Sequence, residues 1–505
     1  MKRLVDFSSR FRILKGGKIS LVVSALLGSV VIASASPSGG TVTSGNAIIS
    51  QSGKTTNINQ SSSKASINWQ KFNIAKDETV NFNQPDINSI TLNRVVGNES
   101  SVINGALNAN GQVWLLNSNG ILFGKNASVN TAGILATTGE LSDADFNAGN
   151  YKFKNNSENS VINLGAIEVS NNGSVILAAN EVKNSGTIKA VKGKVHLTAA
   201  SEYTVNLNGN SLVNLIVDKG VLDAMVENSG TIIADGGEVY LTTNAVNELL
   251  KGVVNNTGII EANSLDGLMG NVEVFAHGGE AKIDGTIEAE DGFVETSGKE
   301  VTIKNSTIVK ADNWLIDPTN IDIDDASAYE TSLNGGTNVT IETVSTGSED
   351  GDINVNDEIE WNTVNTLTLK AHNDININKS ITATNDDGKL ALHYGQANVN
   401  ANNESTYNVN AAVNLKAGDN FETKLGSDGT ATTWKVITEL GSEGSTTGTD
   451  LQGMNGDLTD NYVLGADIDA SSTSTWSSGE GWNAIGSNYS NEFTGNFDGL
   501  GHTID

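Results

Sequence analysis

The residues able to do chemistry are few and scattered. Five histidines, His196, His277, His372, His393 and His502, supply all the imidazoles, and none stands at the one-turn spacing that two metal ligands on a helix face require. The chain has no cysteine, which excludes disulfides, thiolate metal sites and a cysteine nucleophile. Acids gather at Asp317, Asp322, Asp324 and Asp325, at Asp350, Asp352 and Asp357, and at Asp386 and Asp387. Calcium needs several carboxylate and carbonyl oxygens around one point, and no group has the spacing of a helix-loop-helix or nonapeptide calcium site, so these read as solvated loops. Strand alternation sets Glu288 with Glu290, and Asp322 with Asp324, on one face. Paired carboxylates of that kind serve as acid and base in glycan cleavage. With Asp+Glu at 59, such pairs arise by chance. No nucleophile elbow or phosphate loop is present. The expectation is a protein that is not an enzyme and uses no metal and no cofactor.

Lys+Arg at 30 against Asp+Glu at 59 gives a net charge of -29, which repels phosphate and excludes nucleic acid as a partner. Hydrophobic residues make up 37% and there are 3 prolines, unlike a disordered chain, while 54 glycines and 5% aromatics point away from ordinary compact domains. Over 505 residues these numbers suit an extended repeat body.

The first 35 residues differ from the rest. Lys2, Arg3, Arg10, Arg12, Lys15 and Lys18 precede an uncharged apolar run at 19–33 and the small-residue pattern Ala33-Ser34-Ala35. A basic segment, a short apolar segment and an A-x-A site describe a secretory signal peptide, with cleavage expected after Ala35. The apolar run is shorter than the ~20 residues that span a bilayer. The absence of cysteine suits a chain that must cross a periplasm unfolded.

From residue 36 short alternating runs separated by Asn, Gly, Ser and Thr predict strands almost throughout; the best short helix candidate is 245–250. A repeat is visible. VINLGAIEV at 161–169 is echoed by VKNSGTIKA at 182–190, VENSGTIIA at 226–234, VNNTGIIEA at 254–262 and IDGTIEA at 283–289. Its glycines at 165, 186, 230, 258 and 285 are 21 to 28 residues apart, except one step of 44 that reads as two units. Between copies lie GSVIL at 173–177, GKVHL at 193–197, GEVYL at 237–241 and GNVEV at 270–274. Several short strands per 20–30 residues predict an all-β fold, a parallel β-helix. Asn and Gly are expected at its corners, where positive φ is wanted, and Pro37, Pro85 and Pro318 in loops.

An ordered set of segments at 60–140 carries a resemblance: INWQKFNI at 67–74, VNFNQP at 80–85, LNRV at 92–95, INGAL at 103–107, NGQVWLLNSNGI at 110–121, FGKNA at 123–127 and VNTAG at 129–133. They resemble the filamentous-haemagglutinin-type secretion domain of two-partner-secretion exoproteins. The resemblance implies a right-handed parallel β-helix with an amino-terminal cap, exported by a dedicated outer-membrane β-barrel transporter that recognises it. The family's Asn-Pro-Asn-Gly-Ile motif matches Asn117, Ser118, Asn119, Gly120 and Ile121, with Ser118 replacing the proline. No match is found for its Asn-Pro-Asn-Leu motif. The resemblance therefore marks Asn117, Ser118, Asn119 and Gly120 as a recognition turn. Asn93 and Arg94, the latter the sole arginine after residue 12, are expected to brace the cap or touch the transporter. GFVETSG at 292–298 and WLIDPTNIDI at 314–323 look like the high-molecular-weight adhesin branch, some of whose members are glycosylated; sequons stand at Asn98, Asn126, Asn172, Asn305 and Asn338. WNAIG at 482–486 and FTGNFDGLGHTI at 493–504 resemble Gly-rich adhesin repeats.

The organisation expected is a signal peptide at 1–35, a secretion β-helix at 36–310, a β-rich extension at 311–480 and the start of a Gly-rich repeat at 481–505, in a fragment of a longer exoprotein. The function expected is a secreted or surface-exposed adhesin, engaging a host-cell or surface receptor beyond residue 310. A cytolysin, a haem-binding protein or a contact-dependent toxin stem is the alternative on the same secretion domain, and a β-helix polysaccharide-cleaving enzyme a more distant one.

Overall fold

A computed structural model describes residues 36–209, 211–221, 223–244, 252–344, 350–486 and 491–505. The signal-peptide residues, including Ala33 and Ala35, and the helix candidate at 245–250 lie outside them. Residues 36–505 form one unit, a parallel β-helix whose strands stack into three faces. One face holds Ser101–Ile103, Ile121–Phe123, Ser160–Asn163, Glu181–Asn184, Met225–Asn228 and Val253–Asn256. A second runs from Thr55–Gln60 through Thr79–Asn83 and Ala106–Ala109 to Ile259–Glu261. The third starts at Lys64–Trp69 and passes through Ile90–Val95, Gln112–Leu116, Gly133–Thr137, Ser174–Ala179, Lys194–Ala199 and Glu238–Asn244.

The first coil has no coil beneath it, and its strand edges are covered. Thr41–Ser44 pairs antiparallel with Lys64–Trp69, and Ala47–Ser52 pairs antiparallel with Thr55–Gln60. Trp69 and Phe72 meet edge to face inside this cap. Covering the edges removes the unpaired backbone groups that would invite another chain.

The repeat is the register. Val161, Val182, Val226 and Val254 follow one another in the pairing and are buried. Each such side chain contributes ~1.5–3 kcal/mol. Beside them Asn163, Asn184, Asn228 and Asn256, all buried, are joined amide to amide at 2.8 Å. A buried amide needs a partner, and for Asn163, Asn184 and Asn228 the equivalent amide of the next coil supplies it, while Asn256 Nδ2 ends the file without one.

Two expectations change. The 44-residue step is one coil: Glu181–Asn184 pairs directly with Met225–Asn228, and the surplus residues form a hairpin, Glu202–Asn208 with Ser211–Lys219, that leaves the coil and returns. The repeat glycines are also not the positive-φ corners. Gly186, Gly230, Gly258 and Gly285 have ordinary φ, but a Cβ on each would meet the carbonyl oxygen of the equivalent glycine one coil earlier. Positive φ falls instead on Asn172, Lys192, Gly236 and Asp291, each just before a residue of the second glycine column, Gly173, Gly193, Gly237 and Gly292.

The hairpin joins Lys152–Lys154 in a small antiparallel sheet, accompanied by the helix Asp143–Ala148. Together they cover the outer side of the third face. Ile90, Leu92, Trp114, Leu116, Leu135 and Ile176 point outward there and pack with Phe146, Phe153, Tyr203, Val205 and Leu212. That is why Gln112–Leu116, Gly133–Thr137 and Ser174–Ala179 are buried at every position: both sides of the wall are interior.

The boundary expected at 310 falls inside the strand Ile308–Asp317, which pairs with Thr286–Ile303 before it and Asn338–Glu342 after it. The third face continues to Gly418–Leu425, where Thr432–Ile437 reverses direction. Within the expected repeat, Phe497 stacks on Tyr462 and Ile504 on Ile468. Among the described residues no helix is long and apolar enough to cross a membrane.

Close approach and conformational freedom make opposite demands at glycine positions. Gly230→Asn is expected to lower stability by about 1–3 kcal/mol, as much as Gly230→Ala, because any Cβ meets the coil below. Gly53→Asn, at φ 56 in open space, is expected to be nearly neutral. Urea midpoints of the three variants measure this; tolerance of asparagine at 230 would contradict the stacking account.

Candidate recognition site on the first coils

The turn expected at 117–120 is present and its side chains are committed. Asn117 is buried, and its Nδ2 donates to Glu99 O and Ser101 Oγ at 3.0 Å each. Its Oδ1 accepts from the main-chain N of Asn119 at 2.9 Å and from Asn119 Nδ2 at 3.1 Å. Asn119 Nδ2 also donates to Gly97 O at 3.0 Å. Gly120 N donates to Asn117 O at 3.0 Å, and Gly120 takes φ 99, while Asn119 has no positive φ. Glycine in fourth place is the type I pattern, in which proline or serine fits second place. Ser118 is exposed, and its carbonyl accepts from Ser157 Oγ at 2.6 Å and Asn159 Nδ2 at 2.9 Å. The turn thus clips the coil before it, at 97–101, to the segment after it, at 157–159.

Asn93 is interior. Its Oδ1 accepts from Trp69 Nε1 at 3.0 Å, and its Nδ2 donates to Thr91 O and Trp114 O. In the folded chain it braces the first coils and offers nothing to a partner.

Arg94, the next residue and on the opposite side of the strand, holds three elements together. It donates to Asn68 Oδ1 at 2.9 Å, to Leu141 O at 2.5 Å and to Asp143 Oδ1 at 3.0 Å. Asp143 also accepts from Ser66 Oγ and from Thr43 Oγ1 of the cap, both at 2.7 Å. Partial burial by itself would raise the Asp143 carboxyl; hydrogen bonds from Ser66, Thr43 and Arg94, with the guanidinium charge, outweigh it and hold it below the usual carboxylate range. The helix that carries Asp143 is built locally: Ser142 caps it by accepting from Asp145 N at 3.0 Å, and Gly149 ends it at φ 79. An acid in its first turn also favours it.

Between this cluster and the 117–120 turn lies an open cleft of about 730 Å³. Arg94, Val95, Ser118, Asp143, Lys152 and Lys154 line it. The structure therefore brings Arg94 and Ser118 to one concave surface, while Asn93, Asn117, Asn119 and Gly120 do not line it. Asp143 and the two lysines were not singled out by sequence reasoning; the S-D-A-D sequence at 142–145 is a helix start, and that signal was available.

The other candidates stay apart. His196 is buried against Tyr240, ring centroids 4.4 Å apart, and burial with Lys194 nearby pushes its pKa down to about 3, so it is uncharged. His393 contacts Glu422 at 2.8 Å, and His502 contacts Val413 O at 2.9 Å. Among the described residues no three His, Cys, Asp or Glu are placed to hold a metal ion. Glu288 is paired with Lys310 at 2.7 Å. Asp322 and Asp324 accept from Asn354 and Asn356 at 2.8 and 2.9 Å.

Residues 33–275 match the family described as the TPS secretion domain. Two curated relatives, each named heme/hemopexin-binding protein and both from Haemophilus influenzae, are 32% identical over 298 residues (57% of this chain, 32% of the relative) and 31% identical over 267 residues (48% and 28%). The chain thus spans about a third of the length of the curated relatives it matches. The crystal structure of the HMW1 secretion domain from Haemophilus influenzae matches with TM-score 0.55 and 26% identity, covering 75% of this chain and 98% of that one.

The Arg94–Asp143 cluster predicts an acid limb of known sign. A carboxyl whose folded pKa is depressed adds stability above its unfolded pKa, near 4, and loses it as pH falls through the folded value. Asp143→Asn is expected to destabilise the chain by ~1–3 kcal/mol at pH 7 and to flatten the fall of the thermal midpoint between pH 5 and 3. An acid limb as steep as the parent's in Asp143→Asn would contradict the assignment.

Proposed function

We propose that this chain is the export-directing amino-terminal part of an adhesin-type exoprotein. Its capped β-helix, from residue 36 to about 310, is the element that an outer-membrane β-barrel transporter recognises. The observation that carries this is the coincidence of the family match at 33–275 with the cap, the 117–120 turn and the cleft. The mechanism is topological. Residues 1–35 direct the chain to the periplasm, the transporter engages the early segments, and coils that stack outside oppose return, since each new coil buries apolar side chains and closes a ladder of hydrogen bonds. Stacking supplies direction without a nucleotide. Recognition involves the 92–120 segment: Asn117 and Asn119 are buried or bonded inward once folded, so their side chains are available to a transporter before the turn closes, whereas Ser118, Arg94 and the cleft remain reachable afterwards.

The region past 310 is the presented body. It exposes flat polar ladders and no enclosed pocket is needed for such a surface to bind a host-cell receptor, protein or glycan. One observation favours a second reading: the two curated relatives are named for heme and hemopexin binding. Their match spans about a third of each, which speaks for shared export before shared cargo. Titrating the chain with hemin and following the haem absorption band separates the readings, since an adhesin leaves the band unchanged while still binding host cells. Neither of these two readings requires catalysis.

The recognition role predicts that Asn117→Ala with Asn119→Ala, expressed with the transporter, reduces surface and medium levels at least about tenfold while signal-peptide processing is unchanged. Refolded protein keeps its β-sheet circular dichroism. Normal surface levels would sink the role of these residues, and loss of the refolded β signal would assign them to folding alone.

A further inference from the structure

The third face changes character between Glu238 and Lys370. The small outer sheet packs over earlier strands, and the outward positions that follow carry acids in successive coils. Tyr240, Glu273 and Glu295 are direct neighbours in the parallel pairing, at the ~4.8 Å spacing of adjacent strands. Two residues along, Asp317 pairs with Ser297, and the register Ile316 with Ile341 sets Glu342 next to it. Like charges directly opposite one another on a sheet destabilise it.

Lysines stand at the two ends of this file. Lys194 contacts Glu238 at 2.7 Å, and Lys370 contacts Glu342 at 2.6 Å. Among the described residues no lysine is ion-paired to Glu273, Glu295 or Asp317. Glu295 accepts from Ser297 Oγ at 2.7 Å, and Asp317 Oδ1 is buried with no hydrogen-bond partner. The groups facing Glu273 are Tyr240 and Glu238 from the strand before and Glu295 from the strand after, with Asn271 beside it on its own strand. His277, farther along that strand, lies against Phe275, and burial lowers its pKa. Asp317 faces Glu295, Glu342 and Lys370.

We infer that this file of carboxylates makes the wall from Glu273 to Asp317 an acid-strengthened section of the solenoid, whose coils stack tightly in mildly acidic surroundings and loosen as the medium turns alkaline. The stacking geometry requires relief of repulsion, and a shared proton provides it. Burial, then Glu295 and Glu238, push the Glu273 carboxyl up to about 7. Burial, then Glu342 and Glu295, push Asp317 up to about 6, with Lys370 opposing. A carboxyl that binds its proton more tightly when folded stabilises the fold in acid and loses that contribution as pH rises through the folded value. The window therefore runs from the unfolded value near 4 to the folded values, about pH 4 to 7, opposite in sign to the Asp143 cluster, which weakens as the medium becomes more acid than about pH 4. The section adjoins the end of the matched secretion segment at 275, so the joint between the export module and the presented body is the pH-sensitive part.

Hydrogen exchange of the whole chain at pH 5.5 and 8.0, corrected for intrinsic exchange rates, tests this. Peptides covering 271–317 are expected to open roughly tenfold more often at pH 8.0 than at 5.5, while peptides covering 101–137 change little. In Glu273→Gln with Asp317→Asn the rise at 271–317 is expected to vanish, with protection at pH 8.0 equal to or above the parent's. Equal opening of the parent at both pH values would overturn the proposal, whatever the variant does. An undiminished rise in the variant would overturn it too, by showing that other groups titrate.

Discussion

Every coil depends on one constraint: its backbone groups must meet those of the coil before it at a fixed spacing, residue for equivalent residue. The Val161, Val182, Val226, Val254 file, the Asn163 to Asn256 amide file and the Gly186 to Gly285 file are three readings of that single register. A one-residue slip would put Asn where Val packs and a Cβ where a glycine admits a carbonyl. The glycine file is the least forgiving of the three, since a side chain there has nowhere to go. That also explains why coil lengths vary freely between 21 and 44 residues without loss of order: surplus residues leave at corners, and the paired segments return in register.

The same constraint defines the problem at the first coil. Strands with nothing beneath them expose a template edge, and the antiparallel strands of the cap occupy it. Arg94 and Asp143 then tie together cap, first coils and outer helix through Thr43, Ser66, Asn68 and Leu141. Since Asp143 lies 49 residues beyond Arg94, the tie forms only after later coils have been laid down. The cleft is what remains between that tie and the 117–120 clip, so the proposed recognition surface is a by-product of how the start of the solenoid is closed.

Much of this was legible in the sequence. Periodic Val-x-Asn-x-Gly segments identify the solenoid because each strand's pattern is imposed by its neighbour, and the NSNG turn was legible because turn chemistry is local. What was not legible shares one cause, long sequence separation. The hairpin inside the 44-residue step has the same alternation as a coil, and only its antiparallel pairing tells the two apart. Arg94 was visible as an unusual residue, but its partner was not, because nothing local marks Asp143 as its acceptor. The runs VWLL and VILAA did carry an unread signal: continuous apolar strands mean that both sides of a wall are buried, and hence that something covers the outside.

Beyond residue 310 the polar face obeys the same register with a direction added. Asn354, Asn376 and Asn408 form a file that ends on Asp322, and Asn356, Asn378 and Asn410 form one that ends on Asp324, each amide donating to the side chain one coil earlier at 2.8–2.9 Å. A carboxylate accepts and cannot donate, so the acid at the base fixes the orientation of every amide above it. Each completed coil consequently presents oxygen acceptors to the next. For a solenoid built from its amino-terminal end, the acceptors are in place before the donors arrive, and the acids that looked like scattered loop residues are the points from which the files are oriented.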